Sequence, residues 1–185
     1  MKKAIIILLL LISTTIMAKP EEIIPLIKQY EGKYVNHPND KGSCTNSGVT
    51  IATYRFHFGK NKTCNDLKNM TNDEWNHIFY TNYWNKIKGD EINNQSIANL
   101  LCDWNYTSGI YAIKFTQRIL GVSDDGIVGN RTIAAINNYK PQKQLFEKMW
   151  ARRKKQFDDI VRKNPSQKVF YNGWMRRLSA FKYMD

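Results

Sequence analysis

Apolar residues recur at helical spacing along most of the chain. Ahead of Glu31, the positions Ile23, Ile27 and Tyr30 share one face, which predicts a short helix that ends at the glutamate. Gly32 follows at the place where a left-handed cap would end that helix. The same spacing predicts further helices at about residues 51–58, 72–87, 97–108, 110–120, 130–136, 141–163 and 170–178.

Several local signals predict where these helices begin and end. Thr50 is placed to cap the second helix, and Thr71 with Glu74 has the spacing of a capping box. Ser96 is the predicted cap of the helix that begins near residue 97. Gly121 is the predicted end of the helix over residues 110–120, because glycine readily adopts the conformation that ends a helix.

The stretch between Gly32 and Thr50 has no helical period. It contains two further glycines, a proline and the Asn39-Asp40 pair, which are typical of turns and of a small hairpin. The whole pattern therefore predicts a mainly α fold of the α+β kind. A helical first domain with one small loop or hairpin is followed by a helical C-terminal module.

The first 18 residues form a pattern of their own. Lys2 and Lys3 make a basic start, residues 5–16 are mostly apolar, and Ala18 is a small residue suited to cleavage. A membrane span needs about 20 apolar residues, and this segment is shorter and interrupted by polar ones. We predict a cleaved signal peptide, a periplasmic or extracellular location and no stable membrane insertion, with an uncleaved anchor as the alternative.

The formal net charge is +12, and the chain stays strongly basic without Lys2 and Lys3. An acidic partner is therefore expected, either a nucleic acid or, for an exported protein, an anionic polymer of the cell envelope. The alternative interpretation is that the excess charge only solvates the surface. We predict that Arg176 and Arg177 are exposed and that the basic run at residues 152–155 is a solvated face of its helix, with a role in holding the acidic polymer as the alternative for that run.

The three cysteines are too few for a disulfide framework that would hold the whole fold. Cys44 and Cys64 lie in polar, loop-like sequence and can form a disulfide in an oxidising compartment, while Cys102 has the setting of a buried thiol. No two cysteines lie within four residues of each other, and the three histidines are scattered. The spacing predicts no zinc site, and we expect neither a metal nor an organic cofactor.

The chemistry of the amino-terminal segment centres on Glu31. The negative end of a helix and neighbouring rings such as Tyr34 disfavour the charged form of a carboxyl group. A glutamic acid that keeps its proton can act as the general acid in glycoside cleavage. Asp40 and Thr45 follow on the loop and can position water. The alternative interpretation is an ordinary exposed glutamate beside a turn.

The ordered motif Glu-Gly-x-Tyr-Val-Asn-x-Pro-x-Asp-x-Gly-x-x-Thr-x-x-Gly-Val-Thr occupies residues 31–50. It resembles the opening motif of the glycoside hydrolase 108 family, the phage and prophage N-acetylmuramidases. The resemblance implies that Glu31 is the catalytic acid, and the order of Glu31, Asp40 and Thr45 is similar to the catalytic triplet of phage-type lysozymes. Lys33 and Ser43 each replace one glycine of the usual Gly-Gly pairs.

The resemblance continues through residues 83–90 and 103–109, and residues 112–132 are similar to the peptidoglycan-binding module of that family. The Gly-Trp-Met-Arg-Arg-Leu run at residues 173–178 also resembles these proteins. The implied organisation is a signal peptide over residues 1–18, a lysozyme-like catalytic domain over residues 19–109, and a helical peptidoglycan-binding-like module over residues 110–185 without a flexible linker.

The implied activity is hydrolysis of the β-1,4 bond between N-acetylmuramic acid and N-acetylglucosamine. Tyr34, Tyr106 and Thr107 are the predicted sugar contacts, whereas Trp104 is expected in the core. Asp103 is expected as a satisfied polar group near a helix end, with a position in the cleft as the alternative. We expect a monomer whose partner is peptidoglycan. A nucleic-acid partner is disfavoured by the signal pattern.

Two alternatives remain open on sequence grounds. A lytic transglycosylase would act on the same bond with a single acid and leave an anhydro sugar. A non-catalytic wall-binding protein would use only the second module, although the presence of both Glu31 and Asp40 disfavours it.

Overall fold

The computed structural model describes residues 17–36 and 44–184. Asp40 and most of the predicted signal peptide lie outside these residues. Within them the fold is mainly α with one two-stranded antiparallel sheet, which confirms the predicted class. The helices are α1 (Ile24–Tyr30), α2 (Ile51–Phe58), α3 (Cys64–Lys68), α4 (Asn72–Phe79), α5 (Gln95–Ser108), α6 (Ile110–Leu120), α7 (Asn130–Asn138), α8 (Gln142–Lys163) and α9 (Lys168–Ser179).

Short helical turns connect these helices. The turn over Pro20–Glu22 precedes α1, and a π-helical turn over Tyr80–Trp84 extends α4. Further 3₁₀ turns span Asn85–Ile87, Gly89–Glu91 and Pro165–Gln167. In the described part of the chain, no helix is both long and apolar enough to cross a membrane.

Most predicted helix ends are confirmed. The Thr50 side chain caps α2 by accepting a hydrogen bond from the backbone of Thr53, and Thr71 with Glu74 forms the complete capping box of α4. Gly121 ends α6 with a φ of 69°, which is the left-handed conformation that glycine favours. These signals depend only on residues three or four positions apart, which is why the sequence reveals them.

Two predicted caps are wrong. Gly32 has no positive φ, and α1 instead ends at Glu31 in an extended conformation with φ of −85° and ψ of 140°. Asn94, not Ser96, caps α5 by accepting a 3.0 Å hydrogen bond from the Ile97 backbone. The Ser96 hydroxyl is buried and accepts a hydrogen bond from the backbone of Met184 in the chain terminus.

The sheet is a tight hairpin of β1 (Thr45–Asn46) and β2 (Val49–Thr50). Its two turn residues, Ser47 and Gly48, both have positive φ, at 48° and 77°. Positive φ at both central positions is the requirement of a type I′ turn, whose twist matches that of the strands. A disulfide between Cys44 and Cys64 joins the start of the hairpin to α3, so the predicted pair does form a bridge.

One continuous cluster of buried apolar residues extends from the amino-terminal helices to the chain end, with α5 inside it. Trp104 is fully buried, as predicted, and its indole donates a 2.6 Å hydrogen bond to Gln156 on α8. Trp150 on α8 donates to the Leu178 carbonyl of α9 at 3.1 Å. The C-terminal helices therefore pack on α5 and on each other.

The prediction that the basic segments are exposed faces is wrong for two arginines. Arg153, inside the run at residues 152–155, is 1 % exposed, and the Arg177 side chain is only 12 % exposed. Arg176 is exposed as predicted. Arg153, which is buried, and Arg177, which is half-buried, belong to the cluster described next.

Candidate active site

Glu31 stands at the junction of α1 and the hairpin segment. Its backbone N–H closes α1 by donating to the Ile27 carbonyl at 3.1 Å, and the extended conformation at this position turns the chain away from the helix axis. The carboxyl group is 15 % exposed. Its Oε1 accepts a 2.8 Å hydrogen bond from Nη1 of Arg177 on α9.

Arg177 also binds the fully buried carboxylate of Asp103 on α5. Its Nη2 and Nε donate to Oδ1 of Asp103 at 2.7 and 2.9 Å, while Nη1 is directed to Glu31. The other oxygen of Asp103 accepts a 2.7 Å hydrogen bond from Arg153 on α8. Two carboxylates and two guanidinium groups thus form one chain of contacts from Glu31 to Arg153, and their formal charges cancel.

The electrostatics of the cluster follow from burial and opposite charge. Burial alone would lower the pKa of Arg177, but the hydrogen bonds and charges of Asp103 and Glu31 outweigh it and raise the pKa. Burial lowers the pKa of Arg153 even though the Asp103 carboxylate acts in the opposite direction. A buried charge is tolerated only when it is paired, so each acid of the cluster depends on an arginine.

The tip of the hairpin closes the other side of Glu31. A methyl group on Gly48 would lie less than 3.0 Å from both Oε2 of Glu31 and the hydroxyl of Tyr106, so only glycine fits this position without a shift. The Tyr106 hydroxyl donates to the Ser47 carbonyl at 3.4 Å. The indole of Trp75 donates to the same carbonyl at 3.0 Å, which holds the turn against α4 and α5.

Two tyrosines line this side of the carboxyl group. The rings of Tyr83 and Tyr106 lie 4.3 Å apart between centroids. Burial, reinforced by the negative charge of Glu31, raises the pKa of both phenols above the usual value for tyrosine. Both side chains therefore remain neutral hydrogen-bond donors at physiological pH.

The structure brings some of the predicted site residues close to Glu31 and places others elsewhere. Tyr106 lies against the Glu31 carboxyl group, and the Thr107 hydroxyl accepts a 3.2 Å hydrogen bond from Arg153. Thr45 is in β1, where its backbone pairs with Val35. The ring of Tyr34 lies 5.9 Å from Nζ of Lys68. Asp40 is outside the described residues.

Asp103 is a satisfied buried group, as expected, but its partners are two arginines that sequence analysis assigned to the surface. Helical spacing contained a signal for both. Arg153 lies four residues from Met149 and from Phe157, in the buried stripe of α8. Arg177 lies three residues after Trp174, which packs against Phe157 of α8, so both residues are on the inward face of α9.

Within residues 17–36 and 44–184, no three histidine, cysteine, aspartate or glutamate side chains are grouped so that they could hold a metal ion. The chemistry that the described residues offer is that of one carboxyl group, partly open to solvent, fixed by an arginine and bordered by phenols. Such an arrangement suits proton transfer.

Comparison with known proteins agrees with this arrangement. Residues 24–109 match the family described as "Glycosyl hydrolase 108", and residues 111–179 match the one described as "Predicted Peptidoglycan domain". A solved structure, "Structure of Brucella abortus SagA", is similar with a TM-score of 0.71 and 28 % sequence identity, covering 87 % of this chain and 90 % of that one. No curated protein sequence gives a significant match.

The two family matches lie side by side and together cover the helices that meet at Glu31, from α1 to α9. The motif at residues 31–50 lies inside the first match, and Arg177 lies inside the second. Residues 24–109 belong to the glycosyl hydrolase 108 family, and the protein is a lysozyme-like peptidoglycan hydrolase in which a peptidoglycan-binding domain follows this domain.

Proposed function

We propose that the protein is an N-acetylmuramidase that hydrolyses the β-1,4 bond between N-acetylmuramic acid and N-acetylglucosamine, with Glu31 as the general acid. The observation that carries this proposal is the position of the Glu31 carboxyl group. It is 15 % exposed, and α1, the hairpin turn, α5 and α9 all contribute a residue beside it. A catalytic acid needs this combination of a fixed position and access to substrate.

In the proposed reaction, protonated Glu31 gives its proton to the glycosidic oxygen that leaves with N-acetylglucosamine. The bond from that oxygen to the anomeric carbon of the muramyl sugar breaks, and water adds to that carbon. The water loses one proton to a base, and Glu31 is reprotonated. Asp40 and Thr45 are the residues we propose to position or activate the water.

The two carboxyl oxygens of Glu31 have different contacts, which supports different roles for them in proton transfer. Oε1 accepts a hydrogen bond from Arg177, so it is held as an acceptor throughout. Oε2 lies on the side of Gly48 and Tyr106 and is the oxygen we propose to carry the proton. After proton transfer, Arg177 stabilises the carboxylate that remains.

Replacing Glu31 with glutamine tests the proposal directly. Glu31→Gln keeps the size of the side chain but removes the titrating proton, and general acid catalysis is typically worth about 10²–10⁴ in rate. We expect a loss of this size in the clearing of purified cell walls. Glu22→Gln, which changes an exposed acid in the preceding turn, is the matched control and should clear walls at the parent rate. Equal clearing by Glu31→Gln and the parent would overturn the assignment.

The lytic transglycosylase alternative uses the same acid and differs in its product. Hydrolysis adds one water to each cleaved bond, whereas transglycosylation leaves an anhydro muramyl end without added water. Mass spectrometry of the digested fragments separates the two. The non-catalytic alternative predicts that the protein sediments with walls but does not clear them.

A hydrolase that acts on the cell wall is an exported protein. We propose that residues 1–18 are the signal peptide and that the mature protein is a monomer with the domain boundary at residues 109 and 110. Ala18, the last residue of the proposed signal peptide, is buried, and its backbone donates to the Ile92 carbonyl at 2.9 Å, so cleavage directly after Ala18 would remove this contact. Amino-terminal sequencing of the exported protein identifies the cleavage point.

A further inference from the structure

A cavity of about 270 Å³ opens beside the arginine that holds Glu31. The end of α5, the middle of α8 and the face of α9 that carries Trp174 and Arg177 form its walls. Its lining residues are Thr107, Ser108, Arg153, Phe157, Ile160, Trp174 and Arg177. Arg177 therefore borders this cavity and the catalytic carboxyl group at the same time.

The walls combine an aromatic surface with polar donors. Trp174 is half-buried, and its ring packs against Phe157 with 5.4 Å between the centroids. Hydroxyl groups of Thr107 and Ser108 and the guanidinium group of Arg177 border the same space. An aromatic wall with a few polar groups is typical of a small-ligand site.

Arg153 adds an independent observation. This side chain is 1 % exposed, yet its Nε and Nη1 have no hydrogen-bond partner among the described residues. A buried donor without a partner destabilises the fold, and more strongly when the group is charged. A ligand that brings a carbonyl oxygen to this wall of the cavity would relieve that cost after a small side-chain adjustment.

We propose that this cavity is a binding subsite for an N-acetylated hexosamine of the glycan strand, adjacent to the bond that Glu31 cleaves. The apolar face of the sugar ring packs on Trp174, and its acetamido carbonyl accepts hydrogen bonds at the arginine wall. This inference rests on the proposed function. It means that the C-terminal domain supplies part of the catalytic groove and does not act only as a separate wall anchor.

A second aromatic cavity provides the comparison. Trp150, together with Phe146, Tyr183 and two lysines, borders a space of about 380 Å³ on α8 and the chain end. It contains a tryptophan of the same domain, but none of its lining residues belongs to the cluster that holds Glu31. If sugar binding depends on proximity to the catalytic acid, Trp174 matters and Trp150 does not.

The test uses the full-length mature protein with Glu31→Gln, so that bound sugar is not hydrolysed. Binding of an N-acetylglucosamine tetramer and of a glucose tetramer is measured by calorimetry in this background. We expect the acetylated tetramer to bind at least about tenfold more tightly, because only it carries acetamido carbonyls. Equal affinity for the two tetramers would overturn the assignment of the ligand.

Trp174→Ala and Trp150→Ala, each added to Glu31→Gln, locate the site. We expect Trp174→Ala to weaken binding of the acetylated tetramer at least about tenfold, Trp174→Phe to restore most of it, and Trp150→Ala to leave it unchanged. Loss with Trp150→Ala alone would place binding in the other cavity and refute the proposal. Circular dichroism confirms that each variant is folded.

These outcomes are separate from those that test the proposed function. If Glu31→Gln cleared walls like the parent, the catalytic assignment would fail whatever Trp174 binds. If Glu31→Gln were inactive and Trp174→Ala bound the tetramer normally, only the subsite would be wrong.

Discussion

Arg177, in the last turn of α9, donates a 2.8 Å hydrogen bond to Oε1 of Glu31, which lies 146 residues earlier in the chain. The same guanidinium group donates two hydrogen bonds to the buried carboxylate of Asp103. The end of the peptidoglycan-binding domain therefore reaches the carboxyl group that we propose as the catalytic acid. Separating the two domains would leave Glu31 without this contact.

Replacing Arg177 tests that dependence. We expect Arg177→Met to reduce the free energy of unfolding by about 3–5 kcal/mol, since it leaves a buried carboxylate with half of its charge partners. Wall clearing by the folded fraction should fall as well, because Glu31 loses the donor that holds Oε1. Chemical denaturation and a turbidity assay measure the two effects.

Arg176→Met is the matched control for that variant. Arg176 is the neighbouring arginine on α9 and its side chain is exposed. The control should keep both stability and clearing near the parent values, since exposed charges contribute little. If the two variants behaved alike, the contact between Arg177 and Glu31 would have no role.

The pair Asp103 and Arg153 allows a second test of the buried charges. Asp103→Asn alone should destabilise by about 3–5 kcal/mol, because Arg153 is then a buried cation without its anion. The double variant Asp103→Asn with Arg153→Met removes both charges at similar volume and should recover part of that loss. Urea midpoints measure this. A double variant less stable than either single one would show that the charges do not compensate each other.

Gly48 is expected to be essential to activity rather than to folding. In Gly48→Ala the methyl group meets the flexible ends of Glu31 and Tyr106, so these side chains must move away, and the positive φ adds strain of about 1 kcal/mol. We expect a loss of clearing of at least about tenfold with a small change in Tm. Gly32→Ala, where a Cβ meets open space, is the control and should stay active.

The disulfide between Cys44 and Cys64 closes a loop with a sequence separation of 20 residues and joins the hairpin to α3. Loop-closure entropy for such a span is worth about 3 kcal/mol, so Cys44→Ser with Cys64→Ser should lower Tm by roughly 6–12 °C. Adding a reductant should lower the Tm of the parent similarly and should not change that of the double variant. If the reductant lowered the Tm of both the parent and the double variant, the fall in Tm would not result from loss of this disulfide.

Stability below neutral pH should depend on Glu74. Burial would raise the pKa of Glu74, but hydrogen bonds from Thr71 and Tyr54 outweigh it and lower the pKa. A carboxyl group with a lowered pKa stabilises the fold above its unfolded value of about 4.3 and loses that contribution as the pH falls through the folded pKa. Glu74→Gln should therefore flatten the fall in unfolding free energy between about pH 5 and 3. Parallel curves for variant and parent would contradict this.

The helices were largely predictable because their signals are local. Residues three or four positions apart form the caps at Thr50 and at Thr71 with Glu74, and also the end of α6 at Gly121. At the two wrongly predicted caps, by contrast, the partners are distant in the chain. Ser96 accepts a hydrogen bond from the distant Met184, and the chain turns away from α1 at Glu31, before the predicted cap at Gly32, with the Glu31 side chain in contact with α9. Neither of these distant contacts can be read from neighbouring residues.

The sequence also pointed to Glu31, the residue we propose as the catalytic acid, because the ordered motif at residues 31–50 resembles one family. The arginines around it were assigned to the surface, since lysine and arginine are rarely buried and no local pattern names a buried partner. Spacing placed Arg153 in the apolar stripe of α8, but the reason for its burial is Asp103, 50 residues away.

The sequence by itself thus determined the helical pattern, the hairpin segment and the glutamate at the end of α1. Only the tertiary structure decided what surrounds that glutamate: an arginine from the last helix, a glycine turn and two tyrosines whose tilted rings are in contact. The physical reason is that helix formation follows from neighbouring residues, whereas pairing of buried charges depends on the packing of α8 and α9 against α5. That packing brings together side chains that are far apart in the chain.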